Sequence, residues 1–342
     1  MDLIYMNSSF EDQGVLTDFE MDLAFGADEN DFECLVPSMS HCCQAGWYLY
    51  AEGTEYGGII DTIEVRTEAE EVVYMGRTWH GILGSKIIMP LTSSDASTPD
   101  VTIRTENNKG ESLVDKYLVI SGDANRCLDF LLSRLGLSDL FSADETDAGI
   151  SINAFQFDRF CDGYKGIVKM LSSAGLRPKI RYQEGKVVIS AVAQYNYATD
   201  EEFDSSLIEM QLKKKVNSVN HLVCLGSGEL DQRTVLHLYA DENGNISTVQ
   251  TQTGMKEFMA VYDYSSVESE EELMKQGIEQ LQSLWEPDKM VIHMDDASDF
   301  YDVGDKVGAT DNITGISGSA TIKKKIVNIR TDYTTISYEV GE

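Results

Sequence analysis

The chain has 342 residues, enough for two or three domains that each bury a core. Its hydrophobic content of 42% is ordinary for a globular protein, and five prolines argue against long disordered linkers. A formal net charge of −31 excludes a general nucleic-acid-binding surface and disfavours contact with anionic membrane.

The first hundred residues read as β-structure. Phe19, Met21, Leu23 and Phe25 alternate with acidic and small residues, and Phe32, Cys34 and Val36 alternate on the way back from a turn at Asp28 to Asp31. Trp47-Tyr48-Leu49-Tyr50 is an aromatic strand, Gly57-Gly58 opens another that runs to Val65, and Val72 to Met75 follows. Short strands at this spacing predict a barrel or sandwich. Asp123 can cap a helix carrying Cys127, Leu128, Leu131, Leu132 and Leu135, which Gly136 stops. A second helix fits Tyr164 to Ala174, ended by Gly175 and Pro178, and a hairpin follows from Lys179 to Val192. Strands then recur at Leu222 to Gly226 and Thr234 to Tyr239. The clearest late helix runs from an N-cap at Ser269 to Trp285, before a last β-part from Met290 to Glu342.

One pattern occurs twice. Ile63-Glu64-Val65-Arg66-Thr67-Glu68, followed by Val72-Val73-Tyr74, aligns without gaps to Val327-Asn328-Ile329-Arg330-Thr331-Asp332, followed by Ile336-Ser337-Tyr338. Each copy reads as a strand, a polar turn and a returning strand that reaches Gly76 or Gly341. Two related β-modules in one chain are what a trimer needs to present a ring of six-fold character.

Candidate chemistry is sparse. Cys34, His41, Cys42 and Cys43 raise zinc, but adjacent Cys42 and Cys43 cannot easily serve one tetrahedral metal. Asp295, Asp296, Asp299, Asp302 and Asp305 raise calcium, yet their spacing is not that of a helix-loop-helix calcium loop. Gly226-Ser227-Gly228 is a partial nucleophile elbow with no helix behind it, and the five histidines are dispersed. No acid pair is singled out for glycoside cleavage. We therefore assign no catalytic, cofactor-binding or metal-ligating residue, and no cofactor. The six cysteines are expected to stay free and mostly buried. No stretch is long and apolar enough to span a bilayer, and Met1-Asp2-Leu3-Ile4-Tyr5 lacks the features of a signal peptide, so synthesis in a cytoplasm is expected.

Three signatures carry a resemblance. Gly57 to Asp61 with Tyr74 to Leu83, then Asn220 to Leu230 continuing into Arg233 to Tyr239, then Val303 to Gly308 with Gly315-Ile316 and Tyr338 to Gly341, occur in order. Together they resemble a family of phage tail proteins, more distantly the hub of contractile-tail baseplates. The resemblance implies a trimeric baseplate hub with two β-barrels per chain, docked under a hexameric tail-tube ring.

The expected fold is thus mainly β with α+β. Residues 1–118 and 193–342 are two tube-like barrel domains, 119–192 a small α+β module, and a helical insertion lies at about 250–289. The expected function is a non-enzymatic structural hub of a phage tail, contractile injection particle or bacteriocin. A tail-tip module whose Trp47, Tyr48 and Tyr50 contact host glycan is the alternative, and a cell-wall glycan hydrolase the third reading. Implied partners are two further copies, a tail-tube or tube-initiator protein, other baseplate proteins, a spike or tip protein and a tape-measure protein, with DNA only in transit through an acidic bore.

Overall fold

The computed structural model describes residues 2–26, 29–107, 109–197, 202–204, 209–213, 218–242, 244–267, 269–285, 289–293, 301–311, 313–315, 317–330 and 333–341. Contacts divide the chain into two compact units. Met1–Glu202, Ile292–Val307 and Thr321–Val340 form the first; Phe203–Val291, Gly308–Ala320 and Gly341–Glu342 form the second. The chain is mainly β, with four α-helices and several sheets among the described residues, and none of these sheets closes into a barrel.

The first unit is organised by one sheet. Its early strands are β1 (Leu3–Met6), β2 (Asp12–Leu16), β3 (Glu20–Gly26), β4 (Asp31–Pro37), β5 (Tyr48–Tyr50), β6 (Gly57–Arg66) and β7 (Glu71–Thr78). The strand order runs from Ser317–Ile329 through β3, β4, β7, β6, β5 and β1 to β2, and Thr334–Gly341 also pairs with Ser317–Ile329. Both copies of the repeated hairpin therefore lie in the same sheet, separated by β3 and β4. The reason is register: Lys324 to Ile329 pair antiparallel with Gly26 to Met21. Alternation decides the faces, as expected. Met21, Leu23 and Phe25, then Phe32, Cys34 and Val36, are buried on one side, and Val327 and Ile329 join them.

Helices cover part of this unit. Thr78 caps the short α1 (Trp79–Gly84), and Asp123 caps α2 (Ala124–Arg134) by accepting from Asn125 N. Asp162 caps α3 (Gly163–Ser172), and Gly136 and Gly175 adopt the positive φ that ends α2 and α3. The hairpin Leu176–Gln183 with Lys186–Ala193 turns at Glu184-Gly185, both at positive φ, the pairing that a tight two-residue turn requires. One core joins these parts. Trp79 is fully buried, and Tyr50 stacks on Tyr182 with ring centroids 3.9 Å apart.

Within that unit lies a cluster of buried charge. Lys325 follows Lys323-Lys324 in sequence but is 1% exposed. Its ammonium donates to Glu55 at 2.8 Å, lies 3.6 Å from Asp302 and sits over the Tyr56 ring. Arg177 pairs with Asp302 and with the fully buried Asp305, each at 2.8 Å. Burial alone would lower the Arg177 pKa, yet the two aspartates outweigh it and hold the guanidinium charged. His80, 3.5 Å from Glu55, has its pKa pushed down to about 3 by burial and then by the Lys325 charge, so it is neutral near neutral pH.

The second unit holds a four-stranded sheet in the order Ile246–Ser247, Val235–Ala240, His221–Leu225, Met259–Asp263. One face packs on α4 (Glu270–Leu284), which Ser269 caps. Leu222, Cys224 and Leu238 meet Leu273 and Leu281 there. Helix and sheet approach closely at Gly277, where a Cβ would lie 2.6 Å from the Cys224 sulfur. A glycine that weakens a helix by about 1 kcal/mol is the residue that permits this packing.

Two outcomes are expected of the charge cluster. Lys325→Met leaves the mostly buried Glu55 without its cation, while Asp302 keeps Arg177, and costs about 3–5 kcal/mol in denaturant unfolding. His80 contributes stability that is present above its ordinary pKa of about 6.5 and is lost as pH falls towards its native value, because the unfolded state binds the proton first. His80→Phe therefore flattens the stability-pH slope between about 6.5 and 4.5 by up to about 1.4 kcal/mol per pH unit, and an unchanged slope would refute the assignment.

Candidate functional surface

The opposite face of the same strands is acidic. Side chains that alternate with the core residues of β3 and β4 are Glu20, Asp22, Asp31 and Glu33, and β6 adds Asp61 and Glu64. Register brings them together. Asp22 stands directly across from Glu33, Glu33 across from Met75, and Met75 across from Thr62. A 430 Å³ groove follows this row, lined by Asp22, Glu29, Asp31, Glu33 and Asp61 among others.

Like charges opposite one another on a sheet are unfavourable. The Asp22 pKa is raised, first by partial burial and then by Glu33 and Glu20, and Arg330 only partly offsets this. Three arginines limit the repulsion at the margins. Arg77 makes two hydrogen bonds of 2.8 Å to Asp61 and holds its carboxyl below the usual range. Arg66 pairs with Glu64 at 2.9 Å and Glu33 at 3.3 Å, and Arg330 pairs with Glu20.

The repeated hairpin places equivalent residues in equivalent roles. Arg66 and Arg330, the matching arginines, are 38% and 40% exposed and each pairs with a carboxylate of this sheet. Tyr74 and Tyr338, the matching tyrosines, are 0% and 1% exposed, and each hydroxyl fastens a segment outside the hairpin. Tyr74 Oη accepts from Cys42 N and Cys43 N and hydrogen-bonds His41 Nδ1 at 2.9 Å, whereas Tyr338 Oη donates to the Tyr301 carbonyl at 3.0 Å. Thr331 and Asp332, in the second turn, lie outside the described residues.

The signature glycines have a local purpose. A Cβ on Gly58 would lie 2.0 Å from the Arg77 carbonyl oxygen, and one on Gly76 1.8 Å from that of Ile59. They flank the irregularity where the β6–β7 register shifts between Ile60 and Thr62, while Gly57 lies against the Trp79 ring.

The remaining candidates resolve by environment. Burial pushes the Cys34 and Cys43 thiols far up, as expected of small thiols packed in a core. Asp302 and Asp305 are committed to Arg177 and Lys325, while Asp295, Asp296 and Asp299 lie outside the described residues. Among the described residues no group of three or more His, Cys, Asp or Glu is arranged to hold a metal ion. Tyr50 is packed on Tyr182 and donates to Asp12, Tyr48 lies against Phe10 and Trp79, and Trp47 stacks on Tyr5. The strand register also unites two histidines that look dispersed in sequence: His221 Nε2 and His237 Nδ1 are 2.8 Å apart.

No family model matches the sequence, and no curated protein matches it. Among solved structures, the chain is similar to a tail protein from Neisseria meningitidis MC58, at 12% identity and TM-score 0.52, covering 100% of this chain and 96% of that one. It is also similar to the 43 kDa tail protein of prophage MuSo2 from Shewanella oneidensis, at 9% identity and TM-score 0.57, covering 99% and 98%. At such identities the likeness is one of fold. The fold is that of phage tail proteins, in keeping with the order of the three signatures.

The acidic row has a measurable cost. A carboxyl whose native pKa is raised removes stability as pH rises through its titration, so Asp22→Asn is expected to stabilise the chain at pH 7 by about 0.2–1 kcal/mol. The gain disappears below about pH 3.9, where the aspartate is protonated in both states. Denaturant midpoints of the two proteins at neutral and acidic pH test this, and a neutral-pH loss of stability would contradict it.

Proposed function

We propose that the chain is a structural, non-enzymatic hub of a phage tail or phage-tail-like particle. Three copies form a ring between a hexameric tail tube and a spike or tip protein. The observation that carries this reading is the acidic outer face of a sheet that also contains both copies of the repeated hairpin. In the ring, residues 1–118 and 193–342 act as two related barrel-like modules, so that three chains meet six tube subunits, and 119–192 is a small α+β module beside them. The tail-protein fold supports the setting.

The acidic face lines the bore in this reading. Repulsion acting over about 8 Å at physiological salt keeps a passing polyanion away from the wall. Other baseplate proteins and a tape-measure protein complete the surroundings, and the chain is made in the bacterial cytoplasm before assembly. The aromatic strand that motivated a glycan-binding reading is largely engaged in internal ring contacts, so no separate observation favours that alternative.

A cryo-EM map of the assembled particle tests the proposal. Three copies in the tip ring, with Asp22 and Glu33 facing the lumen, are expected. Six copies, or an even-numbered ring, would exclude the trimeric hub. An outward-facing Asp22–Glu33 row would exclude the bore assignment while leaving a structural role intact.

A further inference from the structure

The second unit contains an arrangement that the hub role does not use. His221, on the strand His221–Leu225, is 5% exposed, and His237, on the neighbouring strand Val235–Ala240, is exposed. Antiparallel register sets His221 opposite Tyr239 and Val223 opposite His237, so the two imidazoles are diagonal neighbours on the face away from α4. His221 Nε2 and His237 Nδ1 face each other at 2.8 Å. On the other side of the ring, His221 Nδ1 lies 2.6 Å from Glu257 Oε1, which also accepts from Gln250 Nε2 at 2.7 Å.

Proton placement follows from these partners. A carboxylate can only accept, so His221 carries its proton on Nδ1 and presents the Nε2 lone pair to His237. In the neutral pair, His237 Nδ1–H donates to that lone pair. If the His237 proton moves to Nε2, two nitrogen lone pairs face each other across this contact, with no net change in protonation.

We propose that His221 Nε2 and His237 Nδ1 are ligands for a divalent transition metal such as Zn²⁺, with water completing the coordination and Glu257 orienting His221 from behind. Imidazole nitrogen suits zinc, cobalt, nickel and copper, whereas calcium and magnesium require oxygen. Tetrahedral zinc with bonds of about 2.0 Å needs its two nitrogens about 3.3 Å apart. The pair must open by about half an ångström and the His237 ring must turn until both lone pairs meet at one point, a movement that rotation of this exposed side chain supplies. A carboxylate hydrogen-bonded to the far nitrogen of a ligating histidine fixes its tautomer and ring orientation, the role that Glu257 fills. The mount is rigid. Asn220 donates to Gln252 Oε1 and the Lys256 carbonyl and accepts from Phe258 N, which fastens the Glu257 segment beside His221, and the Tyr239 ring packs on the His221 ring at 4.3 Å.

The test is calorimetric titration of the full chain with Zn²⁺ under a non-chelating reductant, in excess Mg²⁺. One site per chain is expected to disappear in His237→Ala, which removes an exposed side chain, and to weaken about 10–100-fold in Glu257→Gln. Copper EPR gives an independent readout: two-nitrogen hyperfine structure in the parent that is absent in His237→Ala. Matching thermal melts in a chelator establish that both variants fold. Zinc binding unchanged in His237→Ala, or no binding by the parent at millimolar zinc, would overturn the site. Unchanged affinity in Glu257→Gln would overturn the part assigned to the carboxylate.

Discussion

A single ammonium group in the interior constrains the first unit more than any other contact. Moving Lys325 out of water costs several kcal/mol, and only close, well-placed anions recover it. Glu55 precedes β6, Asp302 lies far along the chain, and Lys325 is on the strand beside β3, so the cation is neutralised only when all three segments are in register. Arg177, at the start of the hairpin after α3, shares Asp302 and is itself balanced by Asp305. The sheet and the helical module are thereby coupled through charge as well as through the Trp79–Tyr182 core. His80 completes the arrangement by remaining neutral, since a second cation beside Lys325 would undo it. Such clusters add little net stability over an apolar core, but they penalise misregister heavily.

The two faces of one set of strands divide the labour of the unit. Inward residues of β3 and β4 supply the apolar burial that holds the sheet together. Outward residues place Asp22 against Glu33, a local arrangement that stability alone does not favour. Evenly dispersed carboxylates would give the same solubility without that juxtaposition. The fold itself does not require the row. Arg66, Arg77 and Arg330 moderate the repulsion at the edges while leaving Asp22 with an elevated pKa.

Much of the secondary structure was legible because it follows from period and capping. The alternation of β3 and β4, the caps at Asp123 and Ser269, and the glycine stops at Gly136 and Gly175 all depend on neighbours in sequence. The short strands β1 and β2 and the six-residue α1 carry too little pattern to stand out. Lys325 was hidden in a run of three lysines that reads as a solvated stretch; its alternation with Val327 and Ile329 was the available signal. The acidic character was plain in the charge balance, but the Asp22–Glu33 contact depends on strand pairing, which composition does not encode. His221 and His237 look dispersed for the same reason: sixteen residues apart in sequence, they meet only through hairpin register.

The repeat gains weight from what its matching residues do. Amphipathic hairpins can converge on alternating Ile and Val, since any half-buried strand selects them. Convergence has less reason to place an arginine of similar exposure at the same turn and a buried tyrosine at the same point of the returning strand. The details have nevertheless diverged: Tyr74 Oη receives two backbone N–H groups, while Tyr338 Oη gives its proton to a carbonyl. Position and burial are retained while the partner changes, which is the pattern expected when one hairpin is used twice and each copy later adapts to a different loop. The two copies share a sheet because Lys324 to Ile329 pair with β3, so a duplicated module need not form a separate enclosure within its own chain.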